Sequence, residues 1–143
     1  MLNPDGVTNG NYRCSLAGCD LNRRWKFPSK TIHPTIYTTK KLVKQLHQER
    51  KVALVCDFHG HSRKQNIFMY GCDSKTEWEQ CRALPYILSK LTPLFDYQEC
   101  RFGVQASKEA TARVALFKEL RNCPQVFTLE STFSGIDKGP MQG

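Results

Sequence analysis

The stretch V52-ALVCDFHGHSRKQNIFMY-G71, residues 52–71, decides the fold. The apolar run Val52 to Cys56 is followed at once by Asp57, Phe58, His59 and His61. With that apolar run at its start, the segment 52–58 reads as a strand buried on both faces, as in a sheet covered by helices. Residues two apart in an extended chain point to one face, so a metal ion would see His59, His61 or both. A hydrolytic zinc site needs three protein ligands and one open position. Ordinary hydrogen-bonded histidines account for the pair equally well. No HxxE or HxxH occurs in the chain to supply the other ligands, since His33 is followed by Pro-Thr-Ile and His47 by Gln-Glu-Arg. His47 falls within a basic helical stretch and reads as surface.

Outward from this strand, helical and extended patterns alternate. Residues 35–50 place Ile36, Leu42, Val43 and Leu46 on one helical face, with Lys40, Lys41, Lys44 and Gln45 outside. Ile67–Tyr70 is a second short strand. Residues 76–91 predict a helix with Trp78, Cys81, Leu84, Ile87, Leu88 and Leu91 inside, bent or split at Pro85. Residues 108–121 predict another helix. After Pro124, Val126–Leu129 predicts a last strand that ends in Glu130. Residues 3–25, with Asn3-Pro4-Asp5-Gly6 and Asn9-Gly10-Asn11, read as an ordered turn region rather than a helix. The alternation indicates an α/β sandwich, with functional groups beyond the carboxyl ends of its strands, where His59 and Glu130 sit.

The chain has 143 residues, 40% hydrophobic and 24% charged, which excludes disorder by composition and fits one domain or part of a larger one. A formal net charge of +8 suits an acidic partner, and a solvated basic surface accounts for it as well. No nucleic-acid-binding module interleaves its aromatics with Lys and Arg, so nucleic acid is not expected. No run of about 18 apolar residues exists, so no membrane span is expected. The seven cysteines are odd in number and form no CxxC pair, which reads as reduced thiols in a cytoplasmic protein. MLNPDG is not an apolar h-region, so no signal peptide is expected at this start. The chain opens inside a turn and ends at Gly139-Pro140-Met141-Gln142-Gly143, which suggests a fragment.

Two further groups carry chemistry. A carboxylate such as Glu130, leaving a strand beside a metal, takes a proton from an attacking water, or it simply pairs at a strand end. Asp20-Leu21-Asn22-Arg23-Arg24-Trp25, with Arg13 upstream, offers guanidinium forks for a carboxylate, or is a solvated basic loop.

Taken in order, NPDGVTNGNYRCSLAGCDLNRRW at 3–25, DFHGHSRKQNIFMYG at 57–71 and FTLESTFSG at 127–135 closely resemble the cytosolic carboxypeptidases, of the zinc metallocarboxypeptidase family that includes carboxypeptidase A. The resemblance runs from about Asn3 to Gly135. It implies a three-layer α/β/α sandwich with a mixed sheet, and makes residues 1–143 the C-terminal portion of a catalytic domain. It implies one zinc ion held by two histidines and a glutamate. His59 matches one ligand, and the HxxE pair lies upstream of NPDG in the family, so it precedes Met1. No ligand role passes to His61. Asp57 is placed to orient His59. Asn22 and Arg23 match the pair that grips a substrate's terminal carboxylate, and Arg13 the arginine that polarises the scissile carbonyl. Glu130 matches the general base. Ser107–Arg113, SKEATAR, resembles the family's K-E-G-T-G-R stretch, with Ala110 and Ala112 replacing glycines, a costly change wherever positive φ is required. Arg113 matches a contact for an acidic side chain, or is a helix-surface arginine. The implied reaction is hydrolysis of C-terminal peptide bonds in acidic tails, tubulin among the candidates. The alternative is an inactive fragment or pseudoenzyme that keeps peptide binding only. Loss of preceding strands would leave the strand at 52–58 with an unpaired edge.

Overall fold

The computed structural model describes residues 1–137; the terminal stretch 138–143, including the Gly139–Gly143 segment, lies outside the described residues. The described chain divides into two compact units, residues 1–52 with 105–121, and residues 53–104 with 122–137.

The first unit is built on helices α1 (Pro4–Thr8), α2 (Pro34–Glu49) and α4 (Ala112–Glu119). The turn region at 3–25 therefore holds a short helix, contrary to expectation. Asn3 caps it by accepting from the Gly6 N–H, and Pro4 occupies the first position, where its missing N–H costs nothing. Leu21–Arg23 forms a 3-10 turn that Asp20 caps. The helix foreseen at 108–121 is shorter, preceded by a 3-10 turn at Ala106–Lys108.

On α2 the inner face is Ile36, Lys40 and Val43 rather than one that includes Leu42, which is 52% exposed. Lys40, expected outside, is buried. Its ammonium donates to Trp25 O at 2.7 Å and Lys26 O at 3.0 Å and pairs with Glu119 at 2.6 Å. An ammonium has three N–H donors, and each is used here. His47 is likewise more than a surface residue: it is half-buried, with Nε2 bonding Arg121 O at 2.8 Å and Nδ1 accepting from the Val52 N–H at 3.2 Å.

The second unit is a three-stranded mixed sheet with helix α3. Its strands are β1 (Val55–His61), β2 (Ile67–Tyr70) and β3 (Val126–Thr132), in the order β1-β3-β2. β1 runs parallel to β3 and β2 antiparallel to it. This mixed sheet with helices bears out the α/β class. One face is apolar: Cys56, Ile67, Met69, Phe127 and Leu129 join a core of Phe95, Cys100 and Phe102, against which Leu84 and Leu88 of α3 (Trp78–Leu91) pack.

α3 neither breaks nor splits at Pro85, which is buried at the helix's inner face one turn from Cys81. Trp78, Ile87 and Leu91, expected inside, are more than half exposed, and the buried stripe is Cys81, Leu84, Pro85 and Leu88. The expected fully buried strand is also corrected. β1 is half-buried, begins at Val55, and extends through both histidines, with Phe58 76% exposed. The reason is its place at the edge: among the described residues β1 pairs only with β3.

Two outcomes follow. Lys40→Met strands two carbonyls and Glu119, and lowers unfolding free energy by about 2–3 kcal/mol in urea titration, whereas Lys41→Met changes it by less than about 0.5 kcal/mol. An exposed aromatic on an edge strand promotes pairing between copies, and a charge there opposes it. Phe58→Lys therefore lowers self-association in sedimentation velocity; an unchanged distribution would show that the β1 edge is not the contact.

Candidate active site

The candidate residues divide between the two units, and each group is built by its own backbone. In the sheet, strand alternation puts Asp57, His59 and His61 on one face, together with Thr128 and Glu130 of β3 and with Phe68 and Tyr70 of β2, of which Phe68 is fully buried and belongs to the core cluster. The parallel register pairs His59 with Glu130 and Asp57 with Thr128. Both site residues thus lie inside their strands, not beyond the ends as expected. Neighbouring strands are about 4.8 Å apart, so paired side chains on one face are neighbours. Glu130 is 9% exposed.

His59 Nε2 and Asp57 Oδ2 are 2.8 Å apart. A carboxylate on one ring nitrogen fixes the tautomer and turns the other nitrogen into the donor available for a metal. His61 behaves differently. Its Nδ1 accepts from the Arg63 and Lys64 N–H groups, both at 3.1 Å, and its ring meets Phe68 edge-on at 5.2 Å between centroids. Burial, with Lys64 and Arg63 nearby, holds its pKa below the usual imidazole value. It closes the turn after β1.

In the other unit, Asn22 Oδ1 accepts from the Ala112 N–H at 2.9 Å, and the Trp25 N–H donates to Ala110 O at 3.1 Å. These two bonds clasp Asn22–Trp25 against the start of α4. The N-cap Thr111 makes no side-chain cap bond, and Asn22 supplies a partner for this helix end instead. Asn22 and Arg23 are thereby brought to the segment that carries Arg113. Arg113 is 7% exposed, so it is not a helix-surface arginine. Neither Ala110 nor Ala112 has positive φ, which among the described non-glycine residues occurs only at Asn66 and Asn122. Alanine in place of glycine therefore carries no left-handed penalty here.

Arg13 lies on a tight hairpin. Cys14 and Asp20 form an antiparallel bridge, and Gly18, at φ 68°, turns the chain. The hairpin sits on α1: Asn3 Nδ2 donates to Cys14 O at 3.2 Å, and a Cβ on Gly6 would fall 2.6 Å from that oxygen. Arg13 Nε bonds Asp20 Oδ2 at 2.6 Å, and Arg23 Nη1 lies 3.9 Å from the same oxygen. Asp20 is the residue that sequence reasoning left without a role. Its signal was present: Asp two residues before Asn22 is the spacing of a side chain that caps a turn, and Asp20 Oδ1 accepts from the Asn22 N–H. Burial raises its pKa, but the hydrogen bond and charge of Arg13 outweigh this and leave it below the ordinary value.

Among the described residues no group of three or more His, Cys, Asp and Glu side chains is placed to hold a metal ion. All seven cysteines are free thiols. His59 fits a metal by its donor and its Asp57 partner, but one imidazole does not complete a hydrolytic centre.

No protein-family model matches the chain. Cytosolic carboxypeptidase 1 of Homo sapiens is 48% identical over 159 residues, which take in 100% of this chain and 13% of that protein. The chain is a homologue of the cytosolic carboxypeptidases. Cytosolic carboxypeptidase 3 of Mus musculus is 51% identical over 151 residues, covering 100% of this chain and 15% of its own length. The chain thus spans about a seventh of these curated relatives. A metallo-carboxypeptidase from Pseudomonas aeruginosa, solved in complex with (2-guanidinoethylmercapto)succinic acid, has a TM-score of 0.74 at 26% identity, over 92% of this chain and 35% of that one. A metallo-carboxypeptidase from Burkholderia cenocepacia has a TM-score of 0.76 at 22% identity, over 92% and 34%, a likeness of fold. No helix of the described residues is long and apolar enough to cross a membrane.

A depressed carboxylate pKa stabilises the folded state above its unfolded value, and this is lost as pH falls through the folded pKa. Asp20→Asn therefore costs about 1 kcal/mol at pH 7, and the difference from the parent chain shrinks as pH falls through the lowered pKa of Asp20, in urea titrations at neutral and acid pH.

Proposed function

We propose that this chain carries part of the catalytic centre of a cytosolic zinc carboxypeptidase that removes C-terminal residues from acidic protein tails, tubulin being a candidate. The observation that supports this most is the register of β1 and β3, which sets His59 beside Glu130 on one face of the sheet. Homology to enzymes named cytosolic carboxypeptidases supports the reaction and the compartment.

In this reading Arg23 and the amide of Asn22 bind the substrate's terminal carboxylate, a planar fork plus one donor marking a chain end. Because Asn22 Oδ1 is held by the Ala112 N–H, the amide is oriented with its donor end opposite. Arg113 receives an acidic side chain. Arg13, oriented by Asp20, stabilises negative charge on the scissile carbonyl oxygen. Glu130 takes a proton from the attacking water and returns it to the leaving amine; a carboxylate in a nearly buried position is well suited to both roles. His59 is the proposed zinc ligand. The described residues do not complete its set, so no step is assigned to the ion.

The same incompleteness favours a second reading, an inactive chain that binds peptide tails without cleaving them. Metal analysis and peptide assays separate the two. The chain by itself carries well under one zinc per molecule and cleaves nothing; joined to a segment that supplies an HxxE, it binds zinc and releases C-terminal glutamate, and Glu130→Gln abolishes release. If the joined protein holds zinc but never cleaves, the inactive reading stands. Stoichiometric zinc in the chain alone would overturn the ligand assignment. In either reading a glutamate peptide with a free C-terminus binds about tenfold more tightly than its amide, and Arg23→Ala removes that difference.

A further inference from the structure

Helix α2 and the segment just before it form a groove that includes Lys40 but none of the candidate catalytic or carboxylate-binding residues. Its volume is about 660 Å³, and it is lined in part by Lys26, Phe27, Tyr37, Lys41, Lys44 and Gln48. Arg13, Asn22, Arg23 and Arg113, which belong to the same unit, are not among its walls. Phe27 is 83% exposed, with the Lys26 ammonium 5.8 Å from its ring centroid. A large exposed aromatic ring among lysines presents apolar area and positive charge together, the composition of a recognition surface rather than of a solvated face.

We propose that this groove binds an internal stretch of acidic peptide, independently of any free C-terminus. The charge pattern supports a carboxylate-bearing partner. Two carboxylates of the chain already sit on groove lysines: Glu109 lies 3.4 Å from the Lys26 ammonium and Glu119 lies 3.2 Å from that of Lys44. Lys41, one turn before Lys44 on α2, makes no ion pair among the described residues. The groove therefore pairs lysines with carboxylates as built and keeps one cation for a ligand. Phe27 and Tyr37 give an apolar contact, and the Gln48 amide suits a peptide backbone, being donor and acceptor at once. From Tyr37 to Gln48 the helix runs about 16 Å, which matches about five residues of extended peptide. A single-stranded nucleic acid would also stack on Phe27, but the groove holds no arginine to fork a phosphate.

The test uses the full chain and a fluorescein-labelled, C-terminally amidated hexapeptide of glutamates with one phenylalanine. Amidation removes the group that Arg23 and Asn22 would bind, so the outcome is separate from the proposed catalytic reading. Fluorescence anisotropy shows saturable binding that weakens with added salt. Lys41→Glu weakens it about tenfold and Phe27→Ala about fivefold. Lys90→Glu, the same charge change in the other unit, leaves it within about twofold. Circular dichroism melts confirm that each variant is folded. Equal weakening by Lys41→Glu and Lys90→Glu would reduce the effect to net charge and overturn the proposal. So would tighter binding of labelled hexathymidylate than of the peptide, or no binding at all.

Discussion

The parallel pairing of β1 with β3 is the constraint on which the sheet's chemistry depends. Seven consecutive residues of each strand lie in register, Val55 with Val126 through His61 with Thr132. Side chains in a strand alternate, so a slip of one residue would turn the imidazole of His59 to the side away from Glu130. Two things resist that slip. Phe127 and Leu129 belong on the apolar face with Met69 and the α3 leucines, and a carboxylate set among those side chains would be costly. The antiparallel strand β2 then fixes β3 from its other edge, pairing Phe68 with Glu130. The juxtaposition of His59 and Glu130 is thus maintained by hydrophobic sorting.

The other unit reaches order by a different route. Its ties are polar and run from side chain to backbone: Asn3 to Cys14, Asn22 to Ala112, Lys40 to Trp25 and Lys26. Segments far apart in the chain are held this way without a sheet. An arginine such as Arg13 or Arg23 on a free loop would lose much side-chain entropy on binding. Asp20, reaching toward both, removes part of that loss beforehand.

Sequence patterns made the elements legible wherever burial is one-sided and local. β2 was bounded as found, and α2 and α3 nearly so. The misreadings share one cause, which is that tertiary partners are invisible in a periodicity. Lys40 looked like a surface lysine because no spacing reveals three acceptors waiting for it. Trp78, Ile87 and Leu91 looked internal because apolar residues were assumed to find cover. The run 52–58 looked fully buried because hydrophobicity does not say whether a strand is central or at an edge. Individual candidate site residues stood out only weakly, since a lone His or Glu at a strand is common. It was the order of whole motifs that carried them, and Asp20 was passed over because its partners lie across a hairpin.

Gly6 shows how far a remote position can reach. Its backbone lies so close to Asn3 and Cys14 O that no side chain fits without moving them. Any missense change there would push on the hairpin bearing Arg13. In a clinical or evolutionary survey, a substitution at this site belongs with defects of the arginine's placement, not with harmless drift in a surface loop.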